Sequence, residues 1–438
     1  MKLRLLKTHG PWAVGLIGAF YIGTKWQTAE SAAEKNAGAD STSRFVTSPD
    51  SRRGSTDREN SATNSSRKAP SPRDTDDLVS QLFNGSTFST GGIENLSKEA
   101  LKDPNPVKRR LAFSKLLEGM TPENAEAMRD QLAALGAGGS EWRDFNYAWG
   151  ALAGKEAFVN ASVADKKDLE SLITGWAAVD PAGAIAMLSE LPENLADQRG
   201  RLENGIVSGL ADRNREEATE YVASLAAGGR KDATRLMEIV AGEVLRKDGH
   251  EGASLWVSGL DDGPLKGSAM NEVAERYVRN DPKAASQWIE KFASEDYATS
   301  AVREVGREWA QKEPLAAVTW LDKLPEGEGQ KAGLNSAFGD WEDKDPVAAG
   351  EYLMAMPTSP KRDSAIAGFA NGYAWQDPET AIAWASDISD PGIRTESLKR
   401  VGSAYFRRDP EAAKNWLASS GLSPEAQAEV QQPRRGRR

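Results

Sequence analysis

From about residue 165 to residue 422 the apolar positions recur as pairs of short helical stripes, each pair divided by the same small punctuation. In "YAWQDPETAIAW", residues 373–384, an aromatic stands four residues before an Asp-Pro, an alanine four after that Asp and a tryptophan seven after it. Apolar residues four apart share one face of a 3.6-residue helix, so the Asp-Pro separates the end of one amphipathic helix from the start of another. The proline stops the first helix, because the residue ahead of a proline is pushed out of the α region. It also opens the second helix at a position where its missing N–H costs nothing, with the preceding Asp placed to cap free amides.

The arrangement returns with anchors at Asp180, Asn214, Gly249, Asp281, Glu313, Asp345, Asp377 and Asp409, spaced 34, 35, 32, 32, 32, 32 and 32 residues apart. Four residues before the anchor stand Trp176, Leu210, Leu245, Tyr277, Trp309, Trp341, Tyr373 and Tyr405. Four after it alanine is constant, from Ala184 to Ala413, and three further on come Met187, Tyr221, Trp256, Trp288, Trp320, Tyr352, Trp384 and Trp416. The small residue lets two helices approach while the ring fills the space beside it. These two ring positions hold 8 of the 13 tryptophans, which assigns most of the Trp content to packing between helices. A hairpin of this length cannot cover its own apolar face, so neighbours must stack. The expected fold is all-α: a right-handed α-solenoid of stacked helical hairpins with repeats of about 32–35 residues.

The pattern, with "GYAWQDPETAIAWASDI" as its clearest instance, resembles tetratricopeptide-type α-solenoids over roughly residues 165–422; the region after Asp103 is also similar to HEAT-type repeats. The resemblance implies stacked helix-turn-helix units. In the tetratricopeptide family the small residue and the ring lie four apart and the period is 34, whereas here the gap is three and the period mostly 32, so no groove residue is carried over. Upstream, "DPNPVKRRLAFSKLLEGMTPENAEAMRDQLAAL" reads as a helix pair with Thr121-Pro122 in the capping slot, and "FNYAWGALAGKEAFVNA" as a degenerate unit. The expected organisation is an export signal or membrane anchor over 1–26, a disordered linker over 27–74, a divergent helical cap over 75–160, eight repeats over 161–424, and a terminal helix start with a basic tail over 425–438.

Composition narrows the chemistry. The chain has no cysteine, which removes disulfides, Cys-ligated metals and thiol nucleophiles, and its two histidines, His9 and His250, leave no two-His site within the repeats. Of the net charge of −10, residues 1–75 contribute +5 and the last five residues +4, so the body carries −19. Such a surface repels nucleic-acid phosphate and favours basic partners. Lys2, Arg4 and Lys7 precede an apolar run from Pro11 to Gly23, the layout of an export signal that sends the remainder across the membrane. The Ser-, Thr- and Arg-rich stretch after it has too little apolar surface to offset ordering entropy and reads as a tether.

Little in the chain reads as catalytic. "GAGG" at Gly136 follows no strand and is a connecting loop; His250 takes a proline's place at the mouth of a second helix and has a surface role; the recurrent Asp180, Asp281, Asp345, Asp377 and Asp409 are caps, spaced too far apart for an acid–base pair. No catalytic, cofactor-binding or metal residue is nominated, and the partner-binding residues stay open. Trp375, off the apolar stripe, is the ring expected to face a partner. The function expected is a non-catalytic extracytoplasmic scaffold for a protein or peptide partner, without cofactor or nucleic acid. The alternatives are an envelope-polymer hydrolase on an α/α framework and a carbohydrate-binding surface built on Trp142, Trp149 and Trp375.

Overall fold

The structure, a computed structural model, describes residues 90–164 and 168–431, which all fall within one of two units of the chain, Ser71–Arg438. The expected export segment, the linker and the basic tail after residue 431 lie outside the described residues. Among the described residues every regular element is helical. The upstream helices are α1 (Thr90–Lys102), α2 (Pro106–Glu118), α3 (Ala125–Leu135) and α4 (Gly139–Ala164). The repeats comprise α5 (Leu169–Val179), α6 (Pro181–Ser189), α7 (Arg199–Arg213), α8 (Arg215–Ala227), α9 (Ala233–Ser258), α10 (Pro264–Asn280), α11 (Pro282–Ile289) and α12 (Thr299–Ala310). They continue with α13 (Pro314–Lys323), α14 (Glu328–Trp341), α15 (Pro346–Ala355), α16 (Pro360–Tyr373), α17 (Pro378–Ser386), α18 (Pro391–Arg408) and α19 (Pro410–Ser419); α20 (Pro424–Gln431) follows.

The anchors fall at the hairpin corners. Asp180, Asp281, Asp345 and Asp409 each accept an amide N–H three residues on, from Gly183, Ala284, Ala348 and Ala412, all at 3.0 Å. Asn214 caps Glu216 and Glu217, and Asp377 caps Glu379 and Thr380. Asp409→Ala is expected to cost about 1 kcal/mol in a denaturant melt, and Asp409→Asn only a fraction of that, because amide and carboxylate both accept the bond. Two anchors depart from the rule. Gly249 breaks α9 with a left-handed residue (φ 68°), a conformation glycine adopts without steric cost, and Gly154 breaks α4 in the same way (φ 49°). The carboxylate of Glu313 instead accepts the indole N–H of Trp309 at 3.2 Å and leaves α13 without a side-chain cap. Upstream, Thr121-Pro122 does not cap a helix. Asn124 is the N-terminal flank of α3, and its side chain accepts the Thr121 amide at 2.8 Å, so the helix starts three residues later than the sequence suggested.

Successive first helices pack on one another: α5 on α7, α7 on α9, α9 on α10, α10 on α12, α12 on α14, α14 on α16 and α16 on α18. Each second helix from α6 to α17 touches the first helix of its own unit and that of the next, and α20 closes against α18. All eight alanines four past the anchor are fully buried, and the residues one and two turns before it are buried too, except the partly exposed Tyr373. The rings seven past the anchor are corrected: only Met187 and Trp288 are buried, while Tyr221, Trp256, Trp320, Tyr352, Trp384 and Trp416 are partly exposed. The residue beside each takes the core position, namely Leu188, Val222, Val257, Ile289, Leu321, Leu353, Ala385 and Leu417, none more than 4 % exposed. At 100° per residue a side chain four after the alanine lies about 40° from it around the helix, and one three after it about 60° the other way. The core therefore runs through alanine and aliphatic, and the ring flanks it.

Candidate functional site

Two sets of polar contacts fix the spacing of the second helices, and neither was recognised from the sequence. Fifteen residues before the anchor, at the start of a first helix, a donor side chain reaches back to carbonyls at the end of the preceding second helix. Arg199 binds the Leu188 carbonyl at 2.7 Å, Lys266 those of Ser258 and Leu260, Gln330 those of Leu321 and Leu324, Arg362 that of Leu353 and Arg394 that of Ile388. At the opposite corner Arg213, Lys247, Lys312 and Arg408 donate to carbonyls ending the previous unit's first helix, at Val179, Asp212, Arg279 and Trp375. Both sets donate to carbonyls in or just past the last turn of a helix, where intrahelical partners run out, and all but Gln330 place positive charge where the helix dipole favours it. A cationic or amide residue returning at one register to the anchor, fifteen residues before it in five units, was the available signal.

Held at that spacing, the second helices leave a groove of about 810 Å³ over α13. Trp309, Trp320 and Trp341 line its apolar part, the first two rings 6.1 Å apart and tilted by 43°. Leu315, 57 % exposed, stands in the lining, and Val347 and Met354 on α15 are 69 % and 67 % exposed. The groove's carboxylates are exposed and each accepts one neutral N–H, Glu313 from the Trp309 indole and Asp345 from the Ala348 amide. Its lysines, Lys283 and Lys323, have no ion-pair partner among the described residues. The indole nitrogen of Trp320 is buried without a partner, whereas that of Trp288, one unit earlier, donates to the Ser258 hydroxyl at 3.1 Å. The residue at the Ser258 position in the next unit is Glu290, and it does not take up that bond.

A second cluster lies along the first helices. Glu342 is buried near Gly372 on α16, beside Asp340 and Asp343, and accepts a bond from the Gln376 amide at 3.2 Å. Burial, reinforced by those two carboxylates, pushes its carboxyl up to about 7. A raised carboxyl binds its proton more tightly in the folded than in the unfolded chain. Its contribution is therefore fully present below the ordinary carboxylate range and is lost as pH rises through about 7. Between pH 5 and 8 the protein should lose about 2 kcal/mol more stability than Glu342→Gln does, read from denaturant melts of both proteins at each pH.

The residues singled out by sequence scatter over the array. The five Asp residues are caps at separate corners, as expected. His250 is partly buried and stacks on Tyr277 with ring centroids 5.2 Å apart. Trp375 is 57 % exposed, with the Arg407 guanidinium 4.8 Å from its ring centre. Trp142 is partly buried against Phe145 and Arg129. Trp149 is buried in the core, so the three rings do not make the exposed surface that the carbohydrate alternative required.

Among the described residues no group of three or more His, Asp or Glu could hold a metal ion, and no helix is long and apolar enough to cross a membrane. No family model, curated protein or solved structure matches the chain.

Proposed function

We propose that this chain is a right-handed α-solenoid that works outside the cytoplasmic membrane as a non-catalytic scaffold, holding a protein or peptide partner along its second helices. The observation that carries this reading is the groove over α13, where the partly exposed Trp320 and the exposed Leu315 lie over the buried Trp309 and Trp341 in a wall whose spacing is set by neighbouring units. Exposed apolar surface of this kind is costly to leave in water and marks an interaction site. The unbroken succession of first-helix contacts supports the solenoid. The basic residues and apolar run at the N-terminus support export.

Photo-crosslinking in native envelopes tests the scaffold. A photoreactive amino acid replacing Leu315 should capture one discrete protein adduct, and the same group replacing Arg276 on the first helices should not. An absence of protein adducts at position 315, or the same adducts at both positions, would remove the reading.

A further inference from the structure

We propose that Glu342 makes the joint between α14 and α16 a pH-sensitive hinge, closed while its carboxyl carries a proton and opened locally when that proton is lost. The slot it fills, three residues before the anchor, belongs to the core. The same position holds Ala177, Ala211, Val278, Ala310 and Ala374 in five other units, and all five are buried. A carboxyl where the pattern asks for a small apolar residue breaks the rule that builds the array, and it is costly to bury once charged.

Its surroundings give the charge no relief. The described residues include four buried acids, and the other three have donors suited to a carboxylate. Glu203 pairs with Arg230, Glu308 with Arg279 and Arg307, and Asp363 accepts the Ser389 and Asp390 amides, both at 2.9 Å. Glu342, 1 % exposed, accepts only the neutral side-chain amide of Gln376. Gly372 on α16 presses bare backbone against it: a Cβ there would lie 2.4 Å from a carboxyl oxygen and 2.9 Å from the carboxyl carbon.

The charged groups that bear on it are themselves acidic, Asp343 and Asp340, and none comes from α13 or α15. Asp340 in turn accepts the Gln311 side-chain amide from the end of α12 at 3.0 Å. Cations on the packed elements are bound elsewhere: Arg307 of α12 to Glu304 and Glu308, Lys312 to the Arg279 carbonyl, and Arg408 of α18 to the Trp375 and Gln376 carbonyls. Lys344 is exposed and makes no ion pair with Glu342. Protonated, Glu342 can donate to Asp343 and still accept from Gln376. Ionised, it sets one negative charge against another in a dry joint, and the end of α16 must move away to admit water.

Hydrogen exchange of the full chain at pH 6 and pH 8 tests the hinge, expressed as protection factors so that the intrinsic pH dependence of exchange cancels. Protection over α16 and the end of α14 should fall about tenfold between the two, the ratio that follows from a carboxyl at about 7 in the closed joint and in the ordinary range in the open one. Protection in α5 and α7 should not change. Glu342→Gln keeps the size and an acceptor for Gln376, and should hold protection in α14 and α16 constant across the two pH values. Glu342→Ala, the residue of four sister units, should do the same, and denaturant melts at pH 6 confirm that both variants are folded.

An equal fall in α5 and α7 would mean that the charge weakens the whole array rather than one joint, and would overturn the inference. So would constant protection in the wild type, or a fall in Glu342→Gln as large as the wild type's.

Discussion

Leu321→Ala should cost about 4 kcal/mol, and Trp320→Ala, at the adjoining position, about half as much. The side chain of Leu321 is wholly buried, and two glycines form part of the wall around it. A Cβ added at Gly306 would lie 2.9 Å from one of its methyl carbons, and one added at Gly333 would lie 2.4 Å from the other. Walls without side chains have nothing to swing into the space left behind, so the cavity persists and its cost adds to the lost transfer energy. Trp320 is larger but flanks the core with part of its ring in water, and its truncation widens an existing groove. Denaturant melts of the two variants decide the matter; a larger loss for Trp320→Ala would place the ring inside and return the core to the position first expected.

Gly368→Val should destabilise the protein by about 3 kcal/mol or more. A Cβ at Gly368 would sit 1.9 Å from the Asn335 carbonyl oxygen, far inside contact distance, and the obstacle is backbone rather than a side chain that can move. To accept it, α14 and α16 must separate, straining the Asn335 amide's 2.9 Å bond to the Ser364 carbonyl and loosening the row of first helices at that joint. Hydrogen exchange should speed up in α14 and α16 before it does in α5 and α7. Gly200→Ala is the matched control: a Cβ there meets nothing within 4 Å, so the helical position should gain roughly 0.5–1 kcal/mol from the stiffer unfolded chain. Equal behaviour of the two glycines would mean that the helices are not in close contact.

The hairpin was legible because its signals are local. A proline with its preceding Asp, an alanine one turn on and an apolar residue one turn back are each read within a few residues; five of the eight units have all three, and every unit has the last two. The distinction between Trp320 and Leu321 was harder, since positions three and four past an alanine both neighbour it on a helix and the tryptophan draws attention by its size. The aliphatic residue recurs as faithfully, in seven units of eight, with Ala385 the exception. The anchor register did not tell capping from non-capping residues: Asp180 accepts both the Trp176 indole and the Gly183 amide, whereas Glu313 accepts the Trp309 indole and no amide of its own helix. The donors at Lys266, Gln330, Arg362 and Arg394 differ in chemistry while sharing a register, so a search by residue type passes over them. The groove could not be read from one unit, because Lys283, Trp320 and Trp341 come from three successive units and meet only when these are assembled.

Underlying all of this is the dependence of each hairpin on its neighbours. Far-UV circular dichroism of the isolated Pro360–Ser386 hairpin, which contains Asp377, Ala381 and Trp384, tests it most directly. Cut free, its apolar stripe faces water and short helices are marginal alone, so the spectrum should be that of a disordered chain with no cooperative melt. A helical spectrum with a sigmoidal thermal transition from this hairpin by itself would contradict the account.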